Sequence, residues 1–197
     1  MKILYQNNDF VVIVKPVGLD SEKDVPKKLK ELFSKDIYTL HRLDKNVGGV
    51  MVYARNKKTA SLISKEISDG RMVKEYLARI HGVPEEKGEW TDFLFKDSTK
   101  NKVYVVKRER KGVKKAKLEY TRLDTDGETS LVRVRLFTGR THQIRVQFSS
   151  RGFPLLGDKK YGAKDDCENP FLYSAKIAFT YKNEEMIFEN KPEWIKE

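Results

Sequence analysis

Apolar residues along the chain fall into short runs and alternating stretches, divided by Gly, Pro and charged residues. Phe10-Val11-Val12-Ile13-Val14 is β-branched and is closed by Lys15-Pro16, which predicts a buried strand. Val50-Met51-Val52-Tyr53-Ala54 predicts a second. Between them, Pro26 opens a helix with Leu29, Leu32 and Phe33 on one face, and Tyr38-Thr39-Leu40 is extended. His41 to Gly49 carries too much Gly and Asn for a regular element and reads as a loop. Lys57 to Asp69 is helical, with Ala60, Ile63 and Ile67 on the 3.6-residue period and Gly70 beyond the C-cap.

The second half is dominated by strands. Met72 to Ile80 is extended, residues 85–100 read as irregular apart from a strand at Trp90 to Leu94, and Val103–Val106 and Leu118–Thr121 flank a basic connection that turns as a hairpin near Gly112. Ser130 to Phe137 alternates: Val132, Val134 and Leu136 face one way, Arg133 and Arg135 the other. Gly139-Arg140-Thr141 opens a helix with Thr141 as N-cap and Ile144 and Phe148 on a shared face. Phe171 to Tyr181 is a long strand that Asn183-Glu184-Glu185 turns into Met186-Ile187-Phe188. Many strands, few helices and no regular βαβ alternation predict an α+β fold on a mixed, largely antiparallel β-sheet with a few flanking helices. With no linker to split it, the chain is expected to be a single domain over 1–197.

Charge adds to this picture. The 197 residues carry 40 Lys and Arg against 29 Asp and Glu, a net +11, which draws a protein to polyanions without choosing among them. No apolar run approaches the ~20 residues of a membrane span, so no membrane partner is expected. The one cysteine, Cys167, excludes an internal disulfide, and three scattered histidines argue against a Cys/His zinc site. Cys167 lies in the acidic stretch Asp165-Asp166-Cys167-Glu168, where neighbouring charge should raise its pKa and disfavour a thiol nucleophile. His81 and His142 have no acidic partner evident in sequence.

Three segments carry polar groups that packing does not require. His41-Arg42-Leu43-Asp44 precedes Gly48-Gly49 and a buried strand; Asp44 there is either a turn former that accepts backbone N–H bonds or a carboxylate on a rigid mount. Tyr76, in Lys74-Glu75-Tyr76-Leu77-Ala78, is by itself an ordinary packing residue of a strand. Gly139-Arg140-Thr141-His142-Gln143-Ile144-Arg145 sets two arginines at a helix start, where phosphate binding and plain surface charge are both open.

Taken in order, these segments resemble the RluA-type pseudouridine synthases. The resemblance runs from Asp9–Leu19, with its Lys-Pro-x-Gly turn, through the His41–Asp44 signature, Lys74–Ala78 and Gly139–Arg145, to Phe153-Pro154-Leu155-Leu156-Gly157-Asp158-Lys159-Lys160-Tyr161-Gly162. Where relatives usually carry Thr-Ser-Gly after the signature Asp, this chain has Val47-Gly48-Gly49. The resemblance implies a pseudouridine synthase catalytic domain without the extra N-terminal RNA-binding domain of many relatives. It implies isomerisation of uridine in ribosomal or transfer RNA, in the cytoplasm, by a monomer that needs no metal or organic cofactor. Asp44 would be catalytic, by adding to C1′ or by removing the C2′ proton. Arg145 would keep that carboxylate ionised, and Tyr76 would stack on the base. Arg42, Arg140 and the basic connection, with Lys107, Arg108 and Lys114, would hold RNA. Two other classes fit less of this: a non-catalytic RNA-binding module, and a glycosidic hydrolase, which needs a second acid near Asp44.

Overall fold

A computed structural model describes residues 1–195. The elements, in chain order, begin with β1 (Lys2–Gln6), β2 (Phe10–Lys15), α1 (Asp24–Phe33), β3 (Tyr38–Thr39), β4 (Gly48–Ala54) and α2 (Lys57–Ser68). Next come β5 (Val73–His81), β6 (Lys87–Asp97), β7 (Lys102–Val106), β8 (Val113–Thr125) and β9 (Thr129–Leu136). Helix α3 (Gln143–Ser149), a 3-10 turn (Lys159–Tyr161), β10 (Leu172–Tyr181) and β11 (Glu184–Glu189) complete the series. The strands are mostly antiparallel and the sheet pairing is mixed, as expected for the α+β class. The chain divides into two compact units: Met1–Lys74 with the chain from Tyr173 onward, and Glu75–Leu172.

In the first unit β4 is the central strand. It pairs antiparallel with β2 from Phe10↔Ala54 to Lys15↔Gly49, and parallel with β10 at Tyr173↔Gly48 and Ser174↔Gly49. Every residue of β4 is buried, which is why it reads as a continuous apolar run rather than an alternation. Phe10, Val12, Val50, Val52, Ile63, Ile177 and Phe179 form the core. The Phe10 ring meets Phe179 and Tyr181 edge-on at 5.6 and 5.2 Å. Asn56 caps α2 by accepting the Thr59 N–H at 2.8 Å, and Gly70 leaves the helix with φ 72°.

Two boundaries and one buried stripe in this unit differ from the sequence reading. Helix α1 starts at Asp24, and its buried stripe is Val25 and Leu29, continued by Phe33 beneath the Arg55 guanidinium at 4.1 Å. Leu32 falls beside that stripe and is 59% exposed. The turn before β11 is one residue earlier than expected. Lys182 and Asn183 take φ 52° and 68°, the pair of left-handed residues that a two-residue hairpin demands.

The second unit is an antiparallel sheet in the order β5-β9-β8-β6-β7. The β9 alternation holds: Val132, Val134 and Leu136 are buried while Arg133 and Arg135 are exposed. Residues 87–97, expected to be largely irregular, form one strand of 11 residues. Its pattern is hidden because both faces carry apolar groups: Leu94 is buried on one face, while Phe93 and Phe95 stand half-buried on the other. The expected hairpin near Gly112 is also absent. β7 and β8 do not pair with each other; each pairs with β6, which lies between them.

Helix α3 begins at Gln143, two residues after the expected cap. Thr141 does not cap it; His142 holds that position with φ 50°. The Gln143 side chain closes the entry instead, its Oε1 accepting from Arg140 N at 3.0 Å and Thr138 Oγ1 at 2.8 Å, and its Nε2 donating to the Lys117 carbonyl at 3.1 Å. Gln143 to Phe148 are all buried, and Phe148 packs its ring edge-on against Trp90 at 4.7 Å.

Candidate active site

The Asp44 loop hangs from β4 and is bonded at each step. β3 pairs with β4 at only two residues, Tyr38↔Ala54 and Thr39↔Tyr53. Just beyond, the Val52 N–H is taken by His41 Nε2 at 3.2 Å, which leaves the imidazole neutral with its proton on Nδ1. Burial and the positive charge of Lys74 lower the His41 pKa from 6.5 to about 4. Leu43 is clamped on both sides of its backbone, since its carbonyl accepts from Ser21 Oγ at 2.9 Å and its N–H donates to the same oxygen at 3.2 Å. Ser21 is held in turn by Tyr53, whose hydroxyl donates to the Ser21 carbonyl at 2.8 Å. Beyond Asp44, the Lys45 carbonyl accepts from Gly18 N at 2.8 Å, and the Val47 N–H closes a turn on the Asp44 carbonyl at 2.9 Å.

Lys15 is the residue of this loop that sequence reasoning missed. It is wholly buried at the end of β2, and its ammonium donates to the carbonyls of Pro16, Leu19 and Lys45 at 3.0, 2.9 and 3.3 Å. Burial pushes its pKa down from 10.5 to about 8, while Asp44, Asp20 and Asp24 pull it back up. An ammonium with three carbonyl acceptors thus ties the Lys-Pro-x-Gly turn to the residue after Asp44. The signal was available: Lys15 continues the in-facing parity of Val11 and Ile13 at the end of a run buried on both faces.

The second unit holds Tyr76 and Arg145. Tyr76 is buried on β5, opposite Val134 of β9. Arg145 is buried on α3 rather than solvated. Its Nε and Nη2 donate to the two oxygens of Asp158 at 2.6 and 2.8 Å, a fork-to-fork pair inside the protein. The guanidinium also stands 5.1 Å over the Tyr161 ring. The Tyr161 hydroxyl accepts from Val103 N at 2.9 Å and bonds His142 Nδ1 at 2.8 Å. Asp158 and Tyr161 both come from the Phe153–Gly162 segment, which therefore serves to aim Arg145. Asp44 belongs to the first unit and the other two to the second.

The expected RNA-binding cations are exposed. Arg42 lies 3.7 Å from Glu22, Arg140 donates from Nε to the Lys115 carbonyl at 3.0 Å, and Lys107, Arg108 and Lys114 are all at the surface. His81 corrects the sequence reading, because it does have an acid: Nε2 is 2.8 Å from Asp165 Oδ2, brought there by folding from 84 residues away. Burial works against ionising Asp165, but the Gly157 and Cys167 amides and the His81 ring hold its carboxyl below the ordinary range. Burial and Asp165 raise the Cys167 thiol, as expected.

The segments that build these arrangements also match known proteins. A family model described as RNA pseudouridylate synthase matches residues 9–150. The chain belongs to that family. The matched range of the RNA pseudouridylate synthase family takes in Lys15, the His41–Asp44 loop, Tyr76 and Arg145, and stops short of Asp158 and Tyr161. A relative named ribosomal large subunit pseudouridine synthase D, from Borreliella burgdorferi, is 33% identical over 83% of this chain and 55% of its own length. One named tRNA pseudouridine synthase C, from Haemophilus ducreyi, is 29% identical over 92% of this chain and 86% of its own. Among solved structures, human RNA pseudouridylate synthase domain containing 4 matches with a TM-score of 0.82 and 26% identity. That match covers 98% of this chain and 89% of the human one.

Proposed function

We propose that this chain isomerises uridine to pseudouridine within ribosomal or transfer RNA, with Asp44 as the residue that acts on the ribose. The observation that carries the reading is the construction of the Asp44 loop. Bonds from Ser21, Gly18 and Lys15 fix the backbone on both sides of a single carboxylate, as a positioned reactant requires and a simple turn does not. The reaction breaks the N1–C1′ bond, turns the base and joins C5 to C1′. The proton lost from C5 is balanced by one gained at N1, so no oxidant and no external energy are needed. Asp44 starts it by adding to C1′ or by taking the C2′ proton. Tyr76 stacks on the uracil ring, and Arg145, aimed by Asp158, supplies the positive charge that keeps the reacting carboxylate ionised. Arg42 holds a phosphate or fills the gap left by the everted base, and Arg140, Lys107, Arg108 and Lys114 meet the RNA backbone.

The chain works under this reading as one catalytic domain and as a monomer in the cytoplasm. No helix among the described residues is long and apolar enough to cross a membrane. The test is Asp44→Asn, assayed by tritium release from RNA transcripts labelled at uridine C5. Isomerisation should vanish while RNA affinity stays within about two-fold of wild type, because the isosteric change removes the reactive charge and little binding. Undiminished isomerisation by the variant would refute the assignment. Release of free uracil by the wild type would point instead to hydrolysis.

A further inference from the structure

The sheet of the second unit has two faces of unlike chemistry. One is covered by α3 and carries Tyr76, Val134 and Leu118 inward. The other carries no helix, and the strand register sets aromatic and cationic side chains on it in rows. Tyr104, Phe95 and Val113 stand abreast across β7, β6 and β8, and the next row is Val106, Phe93 and Lys115. Where β9 ends, Phe137 follows Arg133 and Arg135 on the same parity and bonds through its N–H to the Lys117 carbonyl at 3.1 Å.

The rings are open to solvent: Tyr104 is 36% and Phe137 39% exposed, and Phe93 and Phe95 are half-buried. Each of three rings has a cation beside it. Arg110 stands 5.4 Å from the Phe95 centroid, Lys102 5.8 Å from Tyr104, and Lys117 and Arg135 4.9 and 5.2 Å from Phe137. Of the carboxylates on this face, Glu89 pairs with Lys117 at 3.0 Å, Glu119 with Arg135 at 3.5 Å, Asp97 accepts from the Lys100 amide at 3.0 Å, and Glu75 stands across from Arg135 on β5. Lys115, Arg133 and Arg110 add positive charge that these acids do not offset.

This pattern fits one chemistry best. A protein-binding face concentrates apolar groups and sheds lysine from its centre. Phe93 and Phe95 stand about 7 Å apart along β6, Tyr104 lies directly across from Phe95, and cations stand beside the rings, a surface that matches a polymer alternating flat bases with phosphates. We propose that the helix-free face of this sheet is a second RNA-binding surface, which takes a single-stranded stretch of the substrate RNA, with bases stacked on Phe95, Tyr104 and Phe137 and phosphates on Lys115 and Arg133. It rests on the reading that the chain acts on RNA, and it lies on the opposite face of the sheet from Tyr76 and α3.

The experiment compares wild type with Tyr104→Ala/Phe137→Ala and Lys115→Ala/Arg133→Ala by fluorescence anisotropy with a labelled 20-nucleotide oligouridine. Both ring positions are exposed, and thermal denaturation checks that each variant folds. Loss of the two rings should weaken binding roughly five-fold or more per ring. Loss of the two cations should flatten the slope of log K against log salt by about 1.4. Phe137→Tyr should retain binding. On structured RNA, KM should rise while kcat holds. Unchanged oligouridine affinity in both variants would overturn the proposal, as would a face that instead drives self-association in light scattering. Asp44→Asn separates the two readings: it abolishes turnover with the face intact, whereas the face variants weaken binding with turnover at saturating RNA intact.

Discussion

Acid should loosen the Asp44 loop through one residue. His41 must be neutral to accept the Val52 N–H, and its folded pKa is lowered from 6.5 to about 4. Between these values the unfolded chain binds a proton at this site that the folded chain refuses, so stability falls as pH falls. The contribution is complete above pH 6.5. It is diminished by about 2 kcal/mol at pH 5 and by about 3 kcal/mol on approaching pH 4, from a 2.5-unit difference at about 1.4 kcal/mol per unit. Guanidinium denaturation of wild type and His41→Gln at pH 7, 6, 5 and 4.5 isolates the effect, because every other titrating group is common to both. The wild type should lose stability more steeply than the variant, with the gap opening below pH 6.5. Parallel loss in the two proteins would refute the account of a histidine kept neutral by burial and one amide.

Lys15 predicts the complementary behaviour at high pH. Its folded pKa is lowered to about 8, so the stability of wild type relative to Lys15→Met should rise by about 1.4 kcal/mol per pH unit from pH 8 towards 10.5; a flat difference would argue against a buried ammonium. Asp158→Asn removes the carboxylate of the buried fork-to-fork pair with Arg145 and should cost about 3–5 kcal/mol in chemical denaturation. Gly49→Ala should prevent folding of the first unit, seen as loss of soluble protein or of the cooperative transition, because φ is +124° and a Cβ would lie 2.3 Å from the Ser174 carbonyl oxygen. Gly70→Ala, which meets nothing within 4 Å and costs only its left-handed φ of 72°, should fold with a loss of about 1 kcal/mol.

The parts of the fold legible beforehand are those in which one face decides. β9 alternates because one side is core and the other water, and β2 and β4 run apolar because both sides are core. α2 announces itself by its period, its Asn56 cap and Gly70. β6 was obscured because its outward face is aromatic, which erased the contrast that alternation depends on. The β7–β8 hairpin misled because neighbouring strands joined by a short connection usually pair; here β7 folds back on β6, and β8 passes to the other side of β6. Thr141 looked like a cap by residue type, but the chain enters the helix one residue later, with His142 at the N-cap in the left-handed region.

The linear order of residues determined the strand-rich class, the basic charge and the motifs that carry the family, because each depends on residue type and spacing within a few positions. Tertiary structure alone decided that Lys15 would be an ammonium shared among three carbonyls, that His81 would meet Asp165, and that Arg145 would be buried against Asp158 rather than left in water. Those outcomes depend on which distant groups arrive within 3 Å in the absence of water, and the energy of a charge is set by that neighbourhood rather than by its place in the chain.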